Sequence, residues 1–202
     1  MEEQAQNTST NGSALLTPKV ARMAIIMATP SIGELMHSGL FKRKVMAVGV
    51  VDGTCEREDG ELELLAKAII KGDPMGGAIY TLADDPNEGF LTEEDSEERK
   101  FEEVFVAKAS LTSRTQSKTL TVREFAPQFL QINDTVYQGS YIDNGIIVAA
   151  SGDRAYFDEA VSGIIGQIAL GLVRYKMDLL KEQQVGFITP EIAAQLDEAL
   201  GD

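Results

Sequence analysis

Apolar and polar positions change period several times along the chain, and each change marks a new element. Val20, Met23, Ala24 and Met27 recur at helical spacing, so one face of a helix is buried there. Thr17 supplies its N-cap, and Pro18 takes the first helical position, where a missing N–H costs nothing. Pro30 kinks or restarts this helix, which runs to about His37 before Gly39 stops it. Residues 45–51 (VMAVGVV) are continuously apolar, short and rich in β-branched side chains, the pattern of a strand buried on both faces. Asp52-Gly53 ends it as a turn. Residues 53–75 read as an insertion: polar CEREDGELE, a short amphipathic helix over ELELLAKAIIK, and a GDPMGG loop. Residues 78–82 (AIYTL) return as a strand, and Gly76-Gly77 before them marks a tight turn or a close backbone approach.

The second half opens with a stretch, about residues 84–100, that reads as another insertion. A helix carrying Phe101, Val104, Phe105, Ala107, Lys108 and Leu111 follows and ends near Arg114. A shorter one begins after Thr121 and is cut by Pro127. Residues 135–142 are loop or edge strand, and residues 145–150 (GIIVAA) are a second buried strand. Ser151-Gly152-Asp153 turns into a long helix with Phe157, Val161, Ile164, Ile165, Ile168, Leu172 and Tyr175 on one face. Gly163, Gly166 and Gly171 each cost that helix up to about 1 kcal/mol relative to Ala. Close packing on a sheet or on another subunit would offset the loss. After Gly186 a last helix starts at Thr189-Pro190, with Ile192, Leu196 and Leu200 as its stripe. Helix, adjacent strands, helices, strand and long helix make an α+β sheet layered with helices.

Composition narrows the possibilities further. The 202 residues suit one domain with appendages: a disordered, dispensable tail at 1–15, a domain at 16–184, and a helical extension at 185–202. The net charge of −14 argues against nucleic acid or an anionic membrane as partner. No apolar run approaches the roughly 18 residues a bilayer needs, and the polar start lacks a signal-peptide core, so a cytoplasmic protein is expected. A single Cys55 and a single His37 exclude a disulfide framework, a zinc finger and a multi-histidine metal centre. Residues 84–103 hold 10 acids and 2 bases, a solvated approach to the next helix or an acidic surface for a protein partner. The C-terminal helix is the other candidate partner surface.

Few residues stand out as chemistry. His37, at a helix C-terminus, is favoured there by the dipole alone, with ligation of haem iron or a general-base role as alternatives. Cys55 lies among acids that would raise its thiol pKa, so it is not expected to act as a nucleophile. Ser151 and Gly152 place consecutive N–H groups at a helix start, where an anion can bind; simple capping by Asp153 explains the same residues. Lys108 and Thr112 are four apart on one helical face and can share a pocket, and Arg114 can grip a carboxylate. The same three residues also suit an ordinary solvated helix end. Tyr137 sits in a polar loop that is either a pocket rim or only a connection.

Several of these segments, taken in order, resemble the GlcG/HbpS-like "haem-degrading domain" family, which includes the C-terminal domain of PduO-type proteins. They are Leu16-Thr17 with Ala21, VGVVD at 48–52, Gly76-Gly77, AKASLTSRT at 107–115, and VAASG with DEAV within 148–161. The sequence departs from that pattern where residues 53–75 separate VVD from GG, at the acidic stretch 84–100, and in a glycine-rich segment reduced to Asn144-Gly145. The resemblance implies a profilin-like antiparallel sheet packed with helices, a homo-oligomer, and a small-molecule ligand such as haem or a related tetrapyrrole. Lys108, Thr112 or Arg114 would then meet propionates, and Tyr137, Ser151 and Gly152 would help line the pocket. A cofactor-poor enzyme acting on a small aromatic or keto-acid metabolite is the alternative, with Asp52 and Lys108 as weak catalytic candidates. A non-catalytic oligomeric assembly subunit is the third.

Overall fold

The computed structural model describes residues 13–56, 62–87 and 96–201. In chain order these form α1 (Pro18–His37), β1 (Val45–Glu56), β2 (Leu62–Gly72), β3 (Ala78–Leu82), α2 (Ser96–Thr115), α3 (Thr119–Phe125), β4 (Ser140–Asp143), β5 (Ile146–Ser151), α4 (Ala155–Glu182) and α5 (Pro190–Glu198). A 3-10 turn at Pro127–Phe129 follows α3. The five strands make one antiparallel sheet in the order β3-β2-β1-β5-β4. The molecule is α+β, as expected.

Alternation along the central strands sorts the core into two layers. Met46, Val48, Val50, Ala68, Ile70, Val148 and Ala150 face α1 and α4, and the intervening Ala47, Val51, Ile69, Ile147 and Ala149 face α2. Because both faces are covered, β1 and β5 carry apolar side chains at nearly every position. Gly49 makes room on the α2 side: a Cβ there would lie 2.4 Å from the Phe105 ring.

The expected helix within residues 53–75 is instead β2, which pairs with β1 from Val45↔Lys71 onward. Leu, Ala, Lys and Glu favour helix locally, but pairing with β1 and burial on both faces override that preference. Residues 53–75 are therefore no insertion, since they contain a central strand. Lys67, the polar interruption in that strand, is buried against Glu102 of α2. Gly76 and Gly77 both have positive φ, and Gly33 of α1 meets them so closely that a Cβ would be 2.5 Å from the Gly77 carbonyl carbon. That turn is tight and closely approached at once.

Pro30 does not break α1, which runs on to His37 with the proline on its exposed side. The buried stripe is Val20, Ala24, Ile25, Ala28, Ile32 and Met36, and Met27 lies outside it, half exposed. Residues 13–15 belong to the fold: the Ser13 N–H donates to Asp52, and the Leu15 carbonyl accepts from Lys176. The disordered tail expected at 1–15 therefore does not include 13–15, and the part of it at 1–12 lies outside the described residues. So do 88–95 of the acidic stretch and the Cys55 side chain.

α4 is apolar and long enough to cross a membrane by length and composition, but it is a core helix with Val161, Ile165 and Ala169 on the sheet. Tyr175, placed on that face by periodicity, is half exposed. Of its three glycines, Gly166 packs against the sheet: a Cβ would lie 2.3 Å from the Tyr141 ring of β4, whereas Gly171 meets nothing within 4 Å. Gly166→Ala should therefore destabilise by about 1–3 kcal/mol through overpacking, and Gly171→Ala should stabilise by up to about 1 kcal/mol. Thermal unfolding of the two variants checks the contrast, and equal shifts would refute the close approach at Gly166.

The C-terminal extension does not stand apart. Thr189 caps α5 and Pro190 opens it as expected. Leu196, however, is buried against the chain's own core, and Asp197 bonds both Thr17 and Lys176. Leu196 is thus taken up within the chain, while Ile192 and Leu200 of the same stripe are half-buried.

Candidate functional site

A cleft of 490 Å³ opens between α2 and the turn that joins β5 to α4. Its floor is set by the helical repeat of α2. Phe101, Phe105 and Lys108 follow one face, the two aromatics entering the core while the lysine reaches past them. Lys108 Nζ donates to the Ala150 carbonyl at 2.6 Å and to Asp158 Oδ2 at 2.8 Å. Only 1% of the lysine side chain and 4% of the aspartate are exposed, so this is a buried ion pair.

Glycine lets the chain close around that pair. Gly139 has φ +125°, and a Cβ there would lie 2.4 Å from Asp158 Cβ and 2.9 Å from Lys108 Nζ. The Gly139 carbonyl accepts from Ser162 Oγ, which fixes the crossing. Gly152 presses against β1, with a Cβ position 2.5 Å from the Val45 carbonyl oxygen. Ser151 and Gly152 therefore line the cleft on a turn pinned to the central strand.

Burial dominates the electrostatics of the floor. It lowers the Lys108 pKa below 10.5, and the neighbouring Asp158 charge only partly offsets the effect. It likewise raises the Asp158 pKa above 3.8 against the opposing pull of Lys108. Both shifts have burial as their larger cause, opposed by the attraction between the two groups. A lysine held this way is poised for proton transfer.

Asp153 does not cap α4 through its side chain. The N-cap is Arg154, which makes no side-chain capping bond. Asp153 Oδ2 instead accepts the N–H groups of Lys42 (2.5 Å) and Arg43 (3.0 Å), tying the segment before β1 to the start of α4. Arg43 is thereby set at the cleft edge, its guanidinium 5.1 Å from the Phe101 ring centroid. Tyr137 forms the opposite rim and is 62% exposed.

The structure thus brings Lys108, Tyr137, Ser151 and Gly152 together and leaves the other candidates elsewhere. Thr112 is buried, donating to Ser140 Oγ at 2.7 Å within a hydroxyl cluster that includes Thr119. Arg114 holds the loop after α3 through the Phe129 carbonyl and Asp134. The Asp52 carboxylate is saturated by the Ser13 N–H and by the Thr54 N–H and hydroxyl, so it fastens the N-terminal segment and has no route to the cleft. His37 Nδ1 and Nε2 lie 2.8 Å and 2.6 Å from the carbonyls of Gly33 and Asp73. Both ring nitrogens face backbone carbonyls, and His37 is not among the residues that line the cleft.

Arg43, Phe101, Gly139 and Asp158 were not singled out by sequence reasoning. Asp158 is 50 positions from Lys108, and no local spacing announces their pairing. Its place in the DEAV segment was the available signal. No protein-family model matches the chain, and no curated protein matches it.

Proposed function

We propose that this chain is a GlcG/HbpS-like small-molecule-binding protein whose ligand occupies the cleft above Lys108 and Asp158. The observation that carries the reading is a ligand-sized concavity with a few fixed polar groups over a buried, perturbed ion pair. The order of elements and the profilin-like layering implied by the resemblance support it. A cytoplasmic location and the absence of nucleic-acid or membrane partners belong to the same proposal. So does homo-oligomerisation, which is favoured by the exposed apolar side chains of Phe125, Phe129, Ile132 and Val136 between α3 and β4.

Haem or a related tetrapyrrole is the first ligand to test. Among the described lining residues there is no His, Cys or Met, and Tyr137 is the rim side chain able to ligate iron. Propionates would meet Arg43 and Lys100 instead of Thr112 or Arg114. Haemin titration should give a shifted Soret band in the wild type and lose it in Tyr137→Phe. An unshifted band in the wild type would remove haem from the reading, and native mass spectrometry would then identify the co-purifying ligand and the subunit count.

The enzyme alternative is favoured by one observation, the depressed basicity of Lys108 beside Asp158. In that reading Lys108, not Asp52, moves the proton of a small keto-acid or aromatic substrate.

A further inference from the structure

We infer that the cleft selects flat, acidic small molecules, holding an aromatic or conjugated carboxylate by Arg43 and Lys100 with its ring against Val104 and Tyr137. The inference rests on the cleft being the binding site and adds the class of ligand it takes.

The argument starts from which charges in the cleft are already spent. Three carboxylates line it, and each is engaged. Asp153 receives the N–H groups of Lys42, Arg43 and Arg154. Asp158 receives Lys108 and the Asp153 N–H at 3.1 Å. Glu103 also has a partner. Lys108 is spent on Asp158. Arg43 and Lys100 remain, with no carboxylate partner among the described residues, both exposed at the mouth. The formal charges of the lining cancel, three bases against three acids. The carboxylates, however, are held by fixed donors, while the two exposed cations keep donor N–H groups for a ligand.

Shape points the same way. The Arg43 guanidinium lies over Phe101, which leaves its N–H edge free to grip a carboxylate with two parallel bonds. Val104 and Tyr137 supply apolar and aromatic walls for a flat body. A propionate-bearing macrocycle is one member of this class, and a small aromatic acid is another.

The test compares 2-naphthoate with neutral 2-naphthamide by calorimetry at low salt, since exposed charges are screened readily. The acid should bind about fivefold or more tighter than the amide. Arg43→Gln should weaken the acid severalfold and leave the amide unchanged, and adding Lys100→Gln should abolish the preference. Equal affinity for the two compounds, no binding of the acid, or an acid unaffected by Arg43→Gln would each overturn the inference while leaving the cleft reading to the haemin and mass measurements. Ala155→Trp, which fills the cleft, should block both compounds. Binding that survives it would place the ligand elsewhere and end the cleft reading itself.

Discussion

Lys108→Met is expected to lower stability at neutral pH by about 3–5 kcal/mol, because it leaves Asp158 as an uncompensated buried charge. In a chain of this size that is a fall in Tm on the order of 10 °C. The deficit should depend on pH with a definite sign. The folded Asp158 pKa already lies above 3.8, and losing Lys108 moves it higher. A raised folded pKa contributes stability that is fully present below the unfolded value and lost as pH rises through the folded one. The variant should therefore come closest to wild type near pH 4 and fall progressively further behind above it. Adding Asp158→Leu removes the stranded carboxyl and should recover most of the loss, as replacing a whole buried pair by apolar side chains often does. Denaturant unfolding of the single and double variants across pH checks both claims. A double variant as unstable as Lys108→Met would mean that the pair is not the source of the cost.

How much of this was legible in the chain differs by element. α1, α5 and their Thr-Pro starts could be read because a cap and a proline act within a few residues. β5 could be read because a short β-branched run has few other uses. β2 could not: LELLAKAIIK satisfies helical spacing as well as alternation, and only the presence of β1 on one side and β3 on the other decides between them. The site shows the same division. Lys108 and the Ser151-Gly152 turn stood out locally, whereas their partners come from residues far along the chain. Asp52 stands out as a carboxylate at a strand end and Thr112 by its spacing from Lys108, and neither signal distinguishes a site residue from a buried structural hydrogen bond. Arg43 gave no signal, because its importance comes from the staple made by Asp153, 110 positions away.

Asp197→Leu, near the end of the chain, should destabilise the whole fold by about 3 kcal/mol. Lys176 of α4 is fully buried, and its ammonium has two partners: the Leu15 carbonyl at 3.1 Å and Asp197 Oδ1 at 2.7 Å. The same carboxylate oxygen accepts from Thr17 Oγ1 at 2.7 Å, and Thr17 caps α1 through the Val20 N–H. One carboxylate therefore joins the N-terminal segment, α4 and α5. Without it a buried cation keeps a single neutral acceptor. Asp197 is 25% exposed, so water can replace part of the loss, which places the figure at the lower end for a broken buried pair. Lys176→Met combined with Asp197→Leu should regain most of the stability. Leu196→Glu should also destabilise the isolated chain, since Leu196 is the buried side chain of α5; it therefore reports on this docking and not on an interface between copies. Urea unfolding gives the decision. If Asp197→Leu has an unchanged midpoint, α5 contributes nothing to the core and the last helix is, after all, an independent appendage.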